Sequence, residues 1–260
     1  MHTSTSVEAL RKIRLAVRRE RRTEEVMLTV AKAPPADEAI KLANVYLHER
    51  ERLYWETLQH PDRRVDYLLG RIAAKSALGH WYPELSPRRL EIAFGAFGQP
   101  IAKVPDSGHE VSVAHSGGHA VALAFPAGLG MAIDREPVAS APELPASPQS
   151  NDRLEALRRQ MTARERGLVR ELDEAVGLAI LWTAKESLSK ALRCGLTVPF
   201  RLLEVRTCHL ASGEARLTFR NFPQYQALVR YSARVAQSVL LPHDAELITE
   251  RLPLFDDGTA

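Results

Sequence analysis

The sequence predicts an α+β protein with two lobes, and two observations lead to that prediction. In each half of the 260-residue chain, helical patterns come first and short strand-like segments follow. Hydrophobic residues make up 45% of the chain, which is enough to bury a real core. We place the boundary at the Gly-Leu-Gly turn of residues 128–130, which gives an N-terminal lobe over residues 26–128 and a C-terminal lobe over residues 129–247.

Two further segments flank these lobes. Residues 1–25 are a basic extension with six arginines, and their apolar face is thin for a helix. A solvated or frayed helix is the favoured interpretation, and a contact arm for an acidic partner is the alternative. Residues 248–260 form a polar tail that we expect to be loose.

The N-terminal lobe begins with a predicted strand over residues 26–33, which ends at two prolines. Residues 37–58 have a helical pattern, and a second helix is predicted from Pro61 to about residue 81. The apolar side of the first helix carries Ile40, Ala43, Leu47 and Leu53. Short strands are then predicted over residues 90–94, 111–114 and 121–125.

The C-terminal lobe begins with a predicted strand over residues 131–136, followed by a proline-rich loop over residues 137–148. Two helices are predicted between residues 152 and 193, and Gly195 stops the second. Four strands follow, over residues 202–207, 215–219, 228–233 and 235–240. No residue-level repeat proves that this lobe is related to the first.

Charge and cysteine content narrow the class of protein. The 35 basic and 32 acidic side chains are too evenly balanced to mark a nucleic-acid binder, although a binding module built on residues 1–25 is an alternative. Cys194 and Cys208 form no metal or redox spacing, which favours a reduced compartment. No apolar run is long enough to cross a bilayer. We therefore expect a soluble, cytoplasmic protein that binds neither nucleic acid nor membrane.

Two carboxylates lie one residue apart in the strand of residues 131–136. Alternate side chains of a strand point the same way, so Asp134 and Glu136 share a face and Arg135 points to the other. Two acids this close repel each other unless a cation lies between them. Magnesium prefers oxygen ligands and completes its shell with substrate phosphates and water. The alternative is a strand end with two solvated acids.

A third acid and two lysines lie on the second helix of this lobe. Trp182, Glu186 and Lys190 are spaced i, i+4 and i+8, so they form one stripe, and Lys185 lies beside it. The alternative is an ordinary exposed Glu–Lys pair, worth about 0.2–0.5 kcal/mol. A tryptophan on the same stripe favours a stripe that faces protein, where a phosphate and a metal would account for the charges.

A histidine follows the strand of residues 111–114. His115 is succeeded by Ser116 and two glycines, which would let a ligand approach the backbone closely, and the imidazole could donate to a phosphate oxygen. A structural histidine is one alternative. A zinc site with His119 is another, but the intervening glycines make a helical pair improbable and no cysteine lies near.

In this order and spacing, the motifs resemble the Sfp-type 4'-phosphopantetheinyl transferases, over about residues 45–240. The family's Gly-Ile-Asp-x-Glu strand matches residues 132–136, and its Trp-x-x-Lys-Glu-x-x-x-Lys helix, the most specific piece, matches residues 182–190. The Ser-His-Ser turn matches residues 114–116, and the Gly-x-Pro motif matches residues 98–100. The family's Gly-Arg helix motif matches residues 70–75, and residues 195–200 are also similar.

The resemblance implies two similar α+β lobes with the active site between them. It also implies an enzyme that moves the phosphopantetheine arm of coenzyme A to a serine hydroxyl of an apo acyl or peptidyl carrier protein, releasing 3',5'-ADP. A family member that binds carrier protein or coenzyme A without catalysing transfer is the alternative. Carriers of fatty-acid, polyketide and nonribosomal peptide synthesis all remain open, and two lobes in one chain make a monomer sufficient.

Site residues follow from the match. The resemblance implies that Asp134, Glu136 and Glu186 hold Mg²⁺, with Mn²⁺ as the other option. Glu186 is also the candidate base for the serine hydroxyl, and Lys190 would steady the pyrophosphate or protonate the leaving group. The contacts implied for coenzyme A are His115, Ser116, Arg71, Lys75 and Lys185.

Four positions depart from the family pattern. Ala114 removes a hydroxyl and Gln99 removes a lysine charge, so both concern the affinity for coenzyme A. Ala132 replaces a glycine before the acids. Arg135 replaces an apolar residue, so its face of the strand should be exposed or paired with an acid. Arg193 and Arg201 are candidates for docking an acidic carrier.

Overall fold

The computed structural model describes residues 10–35, 37–104, 108–139, 148–249 and 252–254, without the side chains of residues 148–151 and 196. The chain divides into two compact units, which are Met1–Val17 with Thr23–Gly128, and Arg18–Arg22 with Leu129–Ala260. Each unit contains an antiparallel sheet and helices, so the predicted α+β class is confirmed.

The first unit contains six strands. They are β1 (Leu10–Arg19), β2 (Arg22–Lys32), β3 (Glu91–Phe94), β4 (Pro100–Lys103), β5 (His109–Ser116) and β6 (His119–Pro126). Four of them pair in the order β1-β2-β6-β5, and β3 pairs with β4 as a separate hairpin. The predicted strands of this lobe are confirmed, and β4 was missed because a proline begins it.

The predicted helix at the N-terminus is wrong for residues 10–25. These residues form β1 and the start of β2. Leu15 and Val17 are buried while Arg14 and Arg18 are exposed, which is the alternation of a half-buried strand. The apolar residues are too few for a helix face, but a strand that buries one face needs fewer.

The helices of the first unit are α1 (Ala39–Tyr46), α2 (Glu49–Thr57) and α3 (Pro61–Leu78). The single helix predicted over residues 37–58 is wrong, because the chain leaves the helix at Leu47 and His48 begins α2. A capping box fixes this start: the His48 side chain and the Glu51 carboxylate each accept a backbone N–H at the helix end. The break turns Ile40 and Leu53 outward, with 64% and 60% of their surface exposed.

The second unit contains β7 to β12 and α4 to α6. The strands are β7 (Ala132–Pro137), β8 (Val205–Ala211), β9 (Glu214–Phe219), β10 (Tyr225–Tyr231), β11 (Val235–Pro242) and β12 (Ala245–Ile248). Five of them pair in the order β7-β11-β10-β9-β8. The helices are α4 (Pro148–Gln160), α5 (Ala163–Leu168) and α6 (Glu174–Ala191), where the sequence predicted two.

Helix α6 lies on β11, β7 and β10, and its apolar residues form the core of the second unit. The strand predicted over residues 202–207 begins later, at Val205, because Phe200–Leu203 form a 3₁₀ turn. Most of the predicted proline-rich loop, residues 140–147, lies outside the described residues.

Cys194 and Cys208 are both free, as their spacing predicted. Burial raises the pKa of both thiols, to about 11 for Cys208, which keeps them protonated and unreactive near neutral pH. In the described part of the chain, no helix combines the length and the apolar character needed to cross a membrane.

Candidate active site

Strand β7 and helix α6 bring four of the predicted site residues together in the second unit. Asp134 and Glu136 lie on the face of β7 that also carries Ala132, a residue of the core under α6. The Lys190 ammonium, on α6, donates to Asp134 Oδ1 at 2.8 Å and to the Ile133 carbonyl at 3.1 Å. Arg135, on the other face, is buried rather than exposed.

The helix stripe faces protein, as predicted from Trp182. The indole stacks on the Phe200 ring with centroids 4.6 Å apart and packs against the core of the unit. Glu186 lies one turn further along α6, so the same packing places its carboxyl next to β7. The stripe is therefore not an ordinary exposed Glu–Lys pair.

Burial dominates the electrostatics of this cluster. Burial raises the pKa of Glu186 to about 7, and the negative charges of Asp134 and Glu136 raise it further while Lys190 opposes them. Burial also raises the pKa of Glu136 to about 7, against the lowering effect of Arg153. The three acids therefore feel one another's charge, as expected for carboxylates that share a site.

Two carboxylate oxygens of the cluster have no hydrogen-bond partner. Asp134 Oδ2 and Glu186 Oε1 are both buried, and buried polar atoms of this kind are normally satisfied. Hard oxygen donors suit Mg²⁺ or Mn²⁺, so the residues fit such an ion. Among the described residues, no three His, Cys, Asp or Glu side chains stand close enough to hold a metal, and the three-acid site stays a prediction.

The sequence did not indicate the partner of Glu136. Arg153, on α4, forms an ion pair with Glu136 through Nη2 and Oε1. The two residues are 17 positions apart and lie on different elements. No periodicity links them, so only the packing of α4 against α6 could have shown the contact.

Two lysines that the resemblance assigned to coenzyme A are enclosed by protein. Lys185 is fully buried and donates to Glu165 Oε1 at 2.9 Å and to the Gln160 carbonyl at 3.3 Å. Lys75 is equally buried and donates to Glu51 and, at 2.7 Å, to the Tyr46 carbonyl. These are the surroundings of structural lysines, so their geometry does not support contact with coenzyme A.

The other predicted coenzyme A contacts lie in the first unit. Arg71 and His115 line one cavity of about 340 Å³, whose lining also includes Gly98 and Pro100 of the Gly-x-Pro match. His115 Nδ1 lies 3.5 Å from Asp66 Oδ2. Ser116, the last residue of β5, pairs with His119 across the hairpin and does not line this cavity.

Arg71 is a buried cation that faces this cavity. Its guanidinium lies over the Tyr67 ring, 4.3 Å from the centroid, and 5.0 Å from the centroid of Phe94. Nε and Nη2 are buried without a hydrogen-bond partner, although Nε lies 3.4 Å from Glu51 Oε1. Because the side chain lines the cavity, its positive charge could attract an anion there. Sequence reasoning missed the aromatic rings around Arg71, although Tyr67 lies four residues before it on α3 and only Phe94 is distant along the chain.

The glycines after His115 have a role that the sequence analysis did not assign. Gly117 and Gly118 have φ values of 57° and 71°, which fit the two-residue turn between β5 and β6. The turn itself requires them, so they are not evidence for a ligand. The zinc alternative also lacks support, since His119 is buried and its Nδ1 lies 3.0 Å from the Gly117 carbonyl.

The second unit is thus an α+β domain in which a helix and an adjacent strand enclose a cluster of acids with one lysine. Residues 130–247 match the family model of the 4'-phosphopantetheinyl transferase superfamily, ACPS. The match contains all four residues of the cluster and covers less than half of the chain. No curated protein sequence matches the chain.

Two solved structures are similar to part of the chain. A holo-(acyl-carrier-protein) synthase from Bacillus anthracis str. Ames, in complex with CoA (3',5'-ADP), is 24% identical, covers 39% of this chain and 93% of its own, and has a TM-score of 0.35. A holo-ACP-synthase from Plasmodium yoelii is 16% identical, with coverage of 46% and 97% and a TM-score of 0.33. Likeness at this level does not define the fold of the whole chain.

Proposed function

We propose that the protein transfers the 4'-phosphopantetheine arm of coenzyme A to a serine hydroxyl of an apo carrier protein and releases 3',5'-ADP. One observation carries the proposal: the segment that matches the superfamily model brings Asp134, Glu136, Glu186 and Lys190 into one buried cluster. The two orphaned carboxylate oxygens of that cluster support a Mg²⁺-dependent reaction, with Mn²⁺ as a substitute.

The reaction joins the serine oxygen to the phosphorus that bears the pantetheine arm and breaks the bond to the 3',5'-ADP oxygen. A bound divalent cation would neutralise the charge that develops on the diphosphate. Glu186 is proposed to accept the hydroxyl proton, because a carboxyl with a pKa near 7 is an effective base at neutral pH. Lys190 is proposed to donate a hydrogen bond to the departing phosphate oxygen.

In the first unit, Arg71 and His115 are the proposed contacts for phosphate oxygens of coenzyme A. Support comes from the cavity that they line and from the positive charge of the Arg71 guanidinium beside it. A phosphate that reached the guanidinium would form charge-assisted hydrogen bonds, which are among the stronger contacts in proteins. The rings of Tyr67 and Phe94 already hold the guanidinium in place.

The test is a mass measurement on carrier proteins. The protein is incubated with coenzyme A, Mg²⁺ and purified apo acyl and peptidyl carriers, and each carrier is weighed by mass spectrometry. A gain equal to the phosphopantetheine arm on the carrier serine supports the proposal. The absence of any gain across several carriers, with a known transferase as positive control, would favour a protein that binds without transfer.

The finer assignment to the Sfp type is also part of this proposal. Support comes from the two α+β units in one chain, which share an internal pattern of buried Lys–Glu pairs. Sedimentation at the protein concentration of the transfer assay tests the assignment, since two units in one chain predict that the monomer is active. An activity that appears only in a dimer or larger assembly would contradict the assignment.

A further inference from the structure

The ion pair between Glu136 and Arg153 joins two side chains with very different freedom. The Glu136 side chain is only 10% exposed, whereas 44% of the Arg153 side chain is exposed to solvent. Glu136 is fixed within β7, but Arg153 reaches it from the surface of α4. The guanidinium can therefore be exchanged for another cation from solvent, whereas the carboxylate has to stay.

The other cation of the cluster is held differently. Lys190 is 26% exposed, and its ammonium binds both the Asp134 carboxylate and the Ile133 carbonyl from within the packed helix α6. It leaves Asp134 Oδ2 without a partner, so it occupies only one side of that acid. Arg153, in contrast, pairs directly with Glu136, which is one of the three proposed metal ligands.

We infer that Arg153 competes with the divalent cation for Glu136 and so limits how tightly the cluster binds metal. The inference depends on the proposed function, because it takes Asp134, Glu136 and Glu186 as the metal ligands. A guanidinium and a metal ion cannot both lie against the same buried oxygen, and their like charges repel at this distance. Arg153 is thus a positioning residue that acts through Glu136.

Competition makes a prediction that a purely structural ion pair does not. If Arg153 only held α4 in place, its loss would loosen the cluster and weaken metal binding. If it competes, its loss leaves the cluster more negative, and the divalent cation binds more tightly. The direction of the change therefore separates the two roles.

The experiment measures Mn²⁺ affinity by titration calorimetry on the full chain at about pH 8, above the ordinary carboxyl range. The variants are Arg153→Ala, Arg153→Lys and, as the matched control, Arg159→Ala, which removes the same charge from an exposed position on α4. We expect Arg153→Ala to bind Mn²⁺ roughly tenfold more tightly, the order of magnitude expected when one like charge is removed a few ångströms from a divalent ion. Arg153→Lys should fall near wild type, and Arg159→Ala should not change.

A second pair of variants locates the effect. In a Glu136→Gln background, Arg153→Ala should no longer alter the affinity, because the contested oxygen has lost its charge. Thermal unfolding of each variant checks that the unit remains folded.

The outcomes separate the inference from the proposed function. If the wild type binds Mn²⁺ and Arg153→Ala binds it equally or more weakly, the inference is overturned and the metal site still stands. If neither the wild type nor any variant binds Mn²⁺, the metal site is overturned, and the inference with it. An equal gain in Arg159→Ala would reduce the effect to general surface charge and would also overturn the inference.

Discussion

The two units contain the same buried ion pair in the same setting. In the first unit, Glu51 accepts from the fully buried Lys75 of α3 and from the backbone N–H of Ile92, where β3 begins. In the second unit, Glu165 accepts from the fully buried Lys185 of α6 and from the backbone N–H of Val205, where β8 begins.

The correspondence extends to the helix ends. Glu51 completes the capping box that begins with His48, and Glu165 completes the one that begins with Thr162. Each carboxylate thus ties a short helix, a long helix and the first residues of a strand to one point. The sheets agree as well, since β2-β6-β5 lie in one unit as β7-β11-β10 lie in the other.

The difference between the units lies in what surrounds this shared framework. The strand β7 carries Asp134 and Glu136 on the face that belongs to the core of its unit, whereas the matching face of β2 carries Met27, Thr29 and Ala31, which are buried and uncharged. The first unit instead presents Arg71 to a cavity. One unit therefore gathers carboxylates on a strand, and the other places an arginine beside a cavity. The comparison teaches that the Lys–Glu pairs serve the fold, and that the chemistry lies in the residues that differ.

The largest expected effect concerns the acids that only the second unit has. Asp134→Ala or Glu186→Gln should lower the rate of transfer to a carrier by about 10²–10⁴-fold, because each removes a group proposed to act on the reacting atoms. The rate is measured by mass spectrometry of the carrier, and circular dichroism checks the fold. Near wild-type rates in either variant would refute the assignment of the site to this cluster.

The next prediction tests whether the two ion pairs are equivalent. Glu51→Gln and Glu165→Gln should each lower the free energy of unfolding of their own unit by about 3–5 kcal/mol, because each leaves a buried ammonium uncompensated. Urea unfolding followed by hydrogen exchange reports each unit separately. The double variants Glu51→Gln/Lys75→Met and Glu165→Gln/Lys185→Met should recover much of the loss. A large loss of stability in one unit alone would show that the two ion pairs are not equivalent.

Arg71 should affect the binding of coenzyme A and not the binding of a metal ion. Arg71→Gln should weaken coenzyme A binding by roughly tenfold, the value of one charge-assisted hydrogen bond, and should leave Mn²⁺ affinity unchanged. Calorimetry measures both, and Arg89→Ala, an exposed arginine of the same unit, is the control. Equal losses in the two variants would point to general charge instead of the cavity.

The smallest expected effect is the pH dependence of the second unit. Burial raises the pKa of Glu186 from an ordinary 4.5 to about 7, so between these values the folded state keeps a proton that the unfolded state has lost. Stability should therefore fall as pH rises from about 4.5 to about 7. Glu186→Gln should reduce the slope without abolishing it, because Glu136 has a similarly raised pKa, and an unchanged slope would contradict this origin.

Periodicity was enough to find the residues that share an element. Asp134 and Glu136 alternate on one strand, and Trp182, Glu186 and Lys190 follow a helix stripe, so a local rule placed each set on one face. The packing of α6 on β7 then joined the two sets. The α+β class followed from the order of such local patterns.

Contacts between distant segments could not be found in this way. Arg153 meets Glu136, and Phe94 meets Arg71, only after the chain has folded. Tyr67 lies four residues before Arg71 on α3, so that contact had a local signal. The role of Glu165 had a local signal, since Thr162-x-x-Glu165 is a capping-box pattern. The pattern predicts the start of α5 but not the buried lysine that binds there.

The strand at the start of the chain has a practical consequence for anyone who trims the protein for crystallisation. A truncation that starts at Val26 would remove β1, the turn after it and the start of β2. The rest of β2 would keep its partner β6. One side of β2 would then offer unpaired amides and carbonyls along Val26–Ala31, a run of mostly apolar residues. An exposed edge of this kind can pair with a strand of another molecule. The shortened protein should therefore aggregate under conditions in which the intact protein does not.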